Sequence, residues 1–147
     1  MSVFGSVVAV CVGERRCVGK KSVGQGYLQR DFGLEGDAHA GQFERQVSLV
    51  AIEDVEAVNA AKGLQLGPGD CAAIIAVAGL ALAGLPIGTR LRVGQATLEI
   101  TRIGKGPTLA HRFSYCGISV LVDRGVFCRV ISSGLVREGD IVTICSE

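Results

Sequence analysis

The fold is decided by the stretch RLRVGQATLEITR, residues 90–102. Its central pair, Gly94-Gln95, is a Gly-first two-residue loop of the kind that closes a tight antiparallel hairpin. After the loop, every second residue from Ala96 to Ile100 is apolar, and the residues between them are polar. This alternation is typical of a strand with one buried and one solvated face. The stretch therefore predicts two antiparallel strands, Arg90–Val93 and Ala96–Arg102.

Short runs with strand character recur on both sides of this hairpin. They are rich in β-branched residues and are bounded by glycine and polar clusters. The runs predicted as strands are Val3–Val12, Ile74 to Val77, Ile118–Val122, Gly125–Ile131 and Asp140–Cys145. Loops are predicted from Gly13 past Gly26 and from Ser132 to Gly139. Many short strands together with abundant glycine favour a mainly β, barrel-like fold.

One helix is predicted, at Ile52–Lys62. Apolar residues recur at helical spacing from Ile52 to Val58, acidic residues occupy the first turn, and Gly63 is a C-terminal stop. Ser48 is predicted to start this helical segment as a capping residue. A chain of 147 residues has the size of one ordinary domain, so we predict a single domain over residues 1–147.

The composition restricts the classes of partner. The net charge is +1 and the basic residues are scattered, which argues against a nucleic-acid surface. The stretch from Cys71 to Thr89 has no charged residue and approaches the length of a membrane helix. Several glycines and Pro86 interrupt it, so it is predicted to be a buried strand that leads into loops. We therefore expect a cytoplasmic protein that does not bind membranes.

The chain has six cysteines at irregular spacing, mostly inside apolar runs, and no Cys-x-x-Cys pair. This pattern favours reduced, buried thiols over disulfides, and it offers no zinc knuckle or thioredoxin-like motif. Cys11, Cys71 and Cys128 are predicted to be buried in this way. No metal site is expected.

A candidate binding segment is GLEGDAHAGQFERQVS, residues 33–48. Glycines allow close backbone approach to a ligand, and an acid, an imidazole and a guanidinium follow within a few residues. Asp37 can orient an imidazole or a ligand hydroxyl, His39 can accept a proton, and Arg45 can bind a phosphate or carboxylate. The alternative is a glycine-rich connection whose polar residues cap turns. The sequence leaves both interpretations open.

Six ordered pieces of the chain resemble the MOSC domain family, named for the C-terminal domain of molybdenum cofactor sulfurases and found also in small stand-alone bacterial proteins. They are GLEGDAHAG (Gly33–Gly41), RQVSLV (Arg45–Val50), GLQLGPGD (Gly63–Asp70), GLPIGTRLRVG (Gly84–Gly94), LEITRIGK (Leu98–Lys105) and GVFCRV (Gly125–Val130). The resemblance implies a barrel-type β fold and binding of the molybdenum cofactor (molybdopterin) or a related anion. In many members it also implies sulfur transfer through a cysteine persulfide.

Two departures from the family pattern bear on activity. Where the family usually has Glu-Asn-Ile, this chain has Ala73-Ile74-Ile75, which cannot titrate or form side-chain hydrogen bonds. The family's sulfur-carrying cysteine follows a Gly-Lys pair, but here Gly104-Lys105 is followed by Gly106-Pro107. Cys116 lies further downstream, where it is either a relocated nucleophile or a buried structural thiol.

The resemblance thus implies a molybdenum cofactor-binding or carrier protein whose ligand is the cofactor or a molybdate-like oxyanion. The expected anion-binding residues are Asp37, His39, Arg45, Lys105, His111 and Arg112. One alternative is a sulfurtransferase that uses Cys116, with His111 or Arg112 favouring the thiolate. Another is a degenerate interaction domain, so whether the chain is an enzyme stays open. Pyridoxal phosphate is not expected, because in larger sulfurases it belongs to a separate domain. Other proteins of molybdenum cofactor biosynthesis are possible partners, and the oligomeric state is not predicted.

Overall fold

The computed structural model describes residues 4–12, 21–36, 46–63, 74–103 and 125–145. Within these ranges it has eleven strands and one α-helix. In chain order the elements are β1 (Phe4–Val12), β2 (Lys21–Ser22), β3 (Gln25–Gln29), β4 (Gly33–Leu34), β5 (Val47–Ala51), α1 (Ile52–Lys62), β6 (Ile75–Ala78), β7 (Arg90–Val93), β8 (Ala96–Ile103), β9 (Val126–Ser132), β10 (Gly134–Arg137) and β11 (Ile141–Ile144). A short 3₁₀ turn lies at Leu82–Gly84.

Seven strands form a closed barrel, which confirms the predicted mainly β, barrel-like fold. Their order around the barrel is β1, β11, β7, β8, β9, β5 and β6, and β1 closes the ring because it pairs with both β11 and β6. The closing ladder is antiparallel and sets Phe4 opposite Thr143 and Ser6 opposite Ile141. The short β2 extends the sheet from the other end of β1, where Cys11 pairs with Ser22.

The helix connects the parallel pair of the barrel. β5 and β6 run in the same direction, with Leu49 opposite Ile75, and such a pair requires a crossover connection. α1 lies within that crossover at the predicted bounds, Ile52–Lys62. It ends at Gly63, which has a left-handed φ of 68° and donates its N–H to the Asn59 carbonyl.

The predicted start of the helical segment at Ser48 is wrong. Ser48 lies inside β5 and is buried, and the helix follows directly after Ala51 without a side-chain cap. All five residues of β5 are buried, so the strand lacks the alternation that would identify it in a sequence. The prediction relied on the ability of serine to cap a helix, and it therefore assigned Ser48 to the wrong element.

The hairpin of β7 and β8 matches its prediction. Gly94 has φ 56° and the ladder sets Arg90 opposite Glu99 and Val93 opposite Ala96. From Ala96 to Ile100 the side chains alternate between buried and half-buried, as the sequence indicates. The predicted strands at Val3–Val12, Gly125–Ile131 and Asp140–Cys145 are present with ends shifted by a residue or two, whereas Ile118–Val122 lies outside the described ranges.

A second sheet was not predicted. β10, β3 and β4 form three antiparallel strands in that order, in regions predicted as loops. Gly134 opens β10, and a Cβ at this residue would collide with the backbone of Gln95 and Ala96. The glycine therefore allows β10 to pack closely on the β7–β8 turn, although in a sequence the same glycine indicates a break.

The barrel interior is filled by aliphatic side chains from every one of its strands. Leu49, Ile75, Leu91, Leu98 and Ile100 are among the largest that are fully buried. The described part of the uncharged stretch, residues 74–89, contains the predicted strand as β6, and a 3₁₀ turn that was not predicted. Within the described ranges no helix has the length and apolar character needed to cross a bilayer.

Candidate functional site

The residues that the sequence selects for ligand binding lie outside the described part of the chain. They are Asp37, His39, Arg45, Lys105, His111, Arg112 and Cys116. Their flanking residues are described, and these show where each segment joins the barrel. The relevant segments are residues 37–45, 64–73 and 104–124.

All three segments join the barrel around β5. Residues 37–45 lead into Gln46, which directly precedes β5. Residues 64–73 lead into Ile74, whose N–H donates to the carbonyl of Ser48 in β5 over 3.0 Å. Residues 104–124 lead towards Val126, which pairs with Leu49 in β5 and with Ile103 in β8. Segments far apart in the sequence are thus flanked by residues that meet at one strand.

The three junctions are distributed along β5. Those of residues 37–45 and 64–73 lie at its start, beside Gln46 and Ser48. That of residues 104–124 lies opposite Leu49, which is about 10 Å along the strand from Gln46 and about 3 Å from Ser48. Ile103, which precedes the segment with Lys105, is two strands away from β5 and therefore also about 10 Å from it.

Gln46 completes the barrel where β5 begins. The β5–β9 ladder stops at the pair of Val47 and Cys128, so the next backbone groups of β9 have no strand partner on that side. The side-chain Oε1 of Gln46 accepts the N–H of Val130 over 3.0 Å, and the Val130 carbonyl accepts the N–H of Asp31 over 3.1 Å. Because Gln46 is buried, this bond fixes the residue that follows Arg45.

The turn between β3 and β4 is held against β9. Asp31 has a left-handed φ of 55°, uncommon for a residue with a side chain, and its Oδ1 lies 3.2 Å from the Nε of Arg129 in β9. Two residues later, Gly33 has φ 120°, and a Cβ there would lie 2.6 Å from the Gln46 carbonyl oxygen. The start of β4 and the residue before β5 are therefore packed backbone to backbone.

Ile74, an apolar departure from the family pattern, lies in the core beside Ile75. Ile74 and Ile75 are both fully buried and belong to the main hydrophobic cluster. Ala73 is outside the described residues. The two isoleucines therefore stabilise the barrel by burial and offer no polar group to a ligand.

The two buried cysteines among the described residues are poor nucleophiles. Cys11 and Cys128 are inaccessible, and Cys145, at the end of β11, is half-buried. Burial, and secondarily the negative charge of Glu99, raise the pKa of the Cys128 thiol well above its usual range. The predicted burial of Cys11 and Cys128 is confirmed, whereas Cys71 lies outside the described residues together with Cys17 and Cys116.

We expect native-state thiol labelling to distinguish these cysteines. At neutral pH, iodoacetamide should modify Cys145 within minutes, and Cys11 and Cys128 should react only at the rate of unfolding, because a buried neutral thiol meets neither reagent nor solvent. Peptide mass spectrometry of a labelling time course measures all three in one sample. Rapid labelling of Cys128 in the folded protein would contradict its placement in the barrel core.

Two grooves lined by described residues lie on the outside of the barrel, and β5 lines neither of them. The larger, about 750 Å³, is bordered by Ile87, Arg90, Glu99, Ile144 and Cys145 among others. The smaller, about 480 Å³, lies at the other end of β7 and β11 beside Arg92 and Asp140. Across the described ranges, no three His, Cys, Asp or Glu side chains come together as metal ligands would.

Comparison with known proteins gives one family and several structures. The family model described as "MOSC domain" matches residues 36–143. The YuaD protein of Bacillus subtilis is 20% identical, with a TM-score of 0.78 over 100% of this chain and 98% of its own. YiiM of Geobacillus stearothermophilus is 12% identical, with a TM-score of 0.70 over 97% of this chain and 75% of its own. YiiM of Escherichia coli is 18% identical, with a TM-score of 0.67 over 98% and 70%. No curated protein matches the chain.

Proposed function

The chain belongs to the MOSC domain family, and we propose that it binds the molybdenum cofactor, or a molybdate-like oxyanion, as a carrier in molybdenum cofactor metabolism. The observation that carries this proposal is that three segment junctions lie along β5, two at its start and one opposite Leu49. The segments that they bound contain the cationic residues His39, Arg45 and Lys105. The attachment of these segments along one strand supports a shared anion site for their basic residues.

The available side chains fit an anionic ligand. Arg45 can bind an oxyanion or the pterin phosphate with two parallel N–H donors, and Lys105 and a protonated His39 add positive charge. When bound, the cofactor would supply a phosphate and a molybdenum–oxygen centre as acceptors for these donors. Gln46, held by Val130, gives Arg45 a fixed neighbour. A binding group that is positioned in advance loses less conformational freedom when the ligand arrives.

Two features support binding without sulfur transfer. Proline occupies the place of the family's usual cysteine in the Gly106-Pro107 pair, and proline cannot carry a persulfide. Ile74, at a position where the family has a polar residue, is apolar and buried in the core. Among the described cysteines, Cys11 and Cys128 are too deeply buried to accept sulfur from a partner protein. A carrier requires only the anion-binding residues.

The test is calorimetric titration of wild-type protein with sodium molybdate and, separately, with isolated molybdopterin. Arg45→Ala is expected to weaken binding by about 1.5 to 3 kcal/mol, roughly 10- to 150-fold, because it removes a charge-assisted hydrogen bond. Arg45→Lys should restore part of the lost affinity, since an ammonium keeps the positive charge but lacks the two parallel N–H donors of a guanidinium. Arg92→Ala, at an exposed arginine of β7, is the matched control and should bind like the wild type.

Three results would contradict the proposal. If neither molybdate nor molybdopterin binds, or if Arg45→Ala binds as tightly as the wild type, the anion site at this segment is wrong. A persulfide found on Cys116 by mass spectrometry, after incubation with a sulfur donor, would instead identify a sulfurtransferase.

A further inference from the structure

The outer side of β11, β7 and β8 has an unusual concentration of exposed apolar side chains. We define this outer face by Phe4, Ile87, Arg90, Glu99, Ile141 and Ile144. Ile87 is 64% exposed, Ile141 58% and Phe4 55%. These exposed fractions are far higher than is usual for large apolar residues. Phe4 and Ile141 belong to the paired strands β1 and β11, and Ile87 and Ile144 border the larger groove. Clustered exposed apolar residues of this kind mark interaction sites.

A partner cannot bind this face by adding a strand. β11 is hydrogen-bonded to β1 on one side and to β7 on the other, and β7 is bonded on both sides as well. A closed barrel leaves no edge here for another chain to extend. The contact must therefore be made through side chains, as in the face-to-face packing of two sheets.

The charges on this side are of both signs and adjacent, and the exposed Arg92, two residues from Arg90, adds a second positive charge. Arg90 and Glu99 are cross-strand neighbours whose Nε and Oε2 are 3.5 Å apart, with the arginine side chain 55% exposed. A face with neighbouring opposite charges does not favour a uniformly acidic or basic partner. It does complement itself under a two-fold rotation, because Arg90 of one copy can then approach Glu99 of the other.

We propose that the outer face is an isologous interface between two copies of this chain. Phe4, Ile87, Ile141 and Ile144 form its apolar part, and Arg90 and Glu99 form reciprocal ion pairs across the two-fold axis. The larger groove, about 750 Å³, receives side chains of the second copy. This interface is independent of the proposed anion site, since none of its residues belongs to β5 or to the segments that join it.

Sedimentation velocity of the full chain tests the proposal. At roughly 10 to 100 μM, the wild type is expected to sediment as a dimer, with twice the 15.3 kDa mass of one chain. Ile141→Glu should raise the dimer dissociation constant about tenfold or more, because it places a charge in the apolar contact. Val23→Glu is the matched control: Val23 is 48% exposed but lies outside the outer face. It should leave the dissociation constant unchanged.

A charge exchange provides a second, independent readout. Arg90→Glu alone should weaken dimerisation, since it faces Glu99 of the second copy with a like charge. Combining it with Glu99→Arg should restore the wild-type dissociation constant. A wild type that sediments as a single chain at these concentrations would overturn the proposal. So would a dimer that Ile141→Glu leaves intact, or one that Val23→Glu weakens equally.

Discussion

Replacing Leu49 by alanine is expected to lower the free energy of unfolding by about 2 to 5 kcal/mol. Leu49 is fully buried at the centre of β5, between Val126 of β9 and Ile75 of β6. Alanine removes apolar contacts and leaves a cavity, and a strand held on both sides cannot move to fill it. Urea unfolding followed by circular dichroism measures the change. For a domain of this size such a loss is a large part of the total stability.

Val23→Ala is the control for this prediction. Val23 is 48% exposed, so its truncation should change the unfolding free energy by less than about 0.5 kcal/mol. If the two variants unfold at the same urea concentration, Leu49 is not in the core as described.

The second large effect is expected for Gly33→Ala, which should destabilise the fold by about 2 to 5 kcal/mol. Two costs combine in this variant. Alanine is strained at the Gly33 φ of 120°, and its Cβ would lie 2.6 Å from the Gln46 carbonyl oxygen. Relief requires β4 and the start of β5 to separate. Because Gln46 follows Arg45, the variant should also weaken molybdate binding in the calorimetric titration.

Gly36→Ala separates these two costs. Gly36 has φ 88°, but a Cβ there meets nothing within 4 Å. This variant should therefore show the conformational cost alone, about 1 to 2 kcal/mol. Equal destabilisation by both substitutions would mean that the contact between Gly33 and Gln46 contributes nothing.

Local patterns in the sequence were sufficient for elements whose two faces differ. The alternation after Gly94 identified β8, and helical spacing with the stop at Gly63 gave α1 its observed bounds. β5 lacks such a pattern, because all its residues are buried, and Ser48 was consequently assigned to the helix. β10 was missed because Gly134, needed for close packing on Gln95, looks like a break in a sequence. These two errors arise from tertiary packing that no local window contains.

The candidate site shows a similar division. The sequence identifies Arg45 and Lys105 by residue type, and the flanking residues show that their segments join the barrel near β5. The part played by Gln46 was not predicted. An isolated glutamine carries no motif, and its importance comes from Val130, a residue far away in the chain whose N–H lacks a strand partner. A polar residue that is predicted to be buried next to a candidate ligand-binding residue is the signal that could have indicated Gln46.

The pairing of β1 with β11 also has a consequence for how the protein is made. Phe4 and Thr143 are partners in the ladder that closes the barrel, although almost the entire chain separates them. Until β11 has emerged from the ribosome the barrel cannot close, and β1 and β7 each keep one open edge. Open edges of this kind recruit strands from other molecules. The interval before the last strand emerges is thus the period in which a chaperone would protect this protein from aggregation.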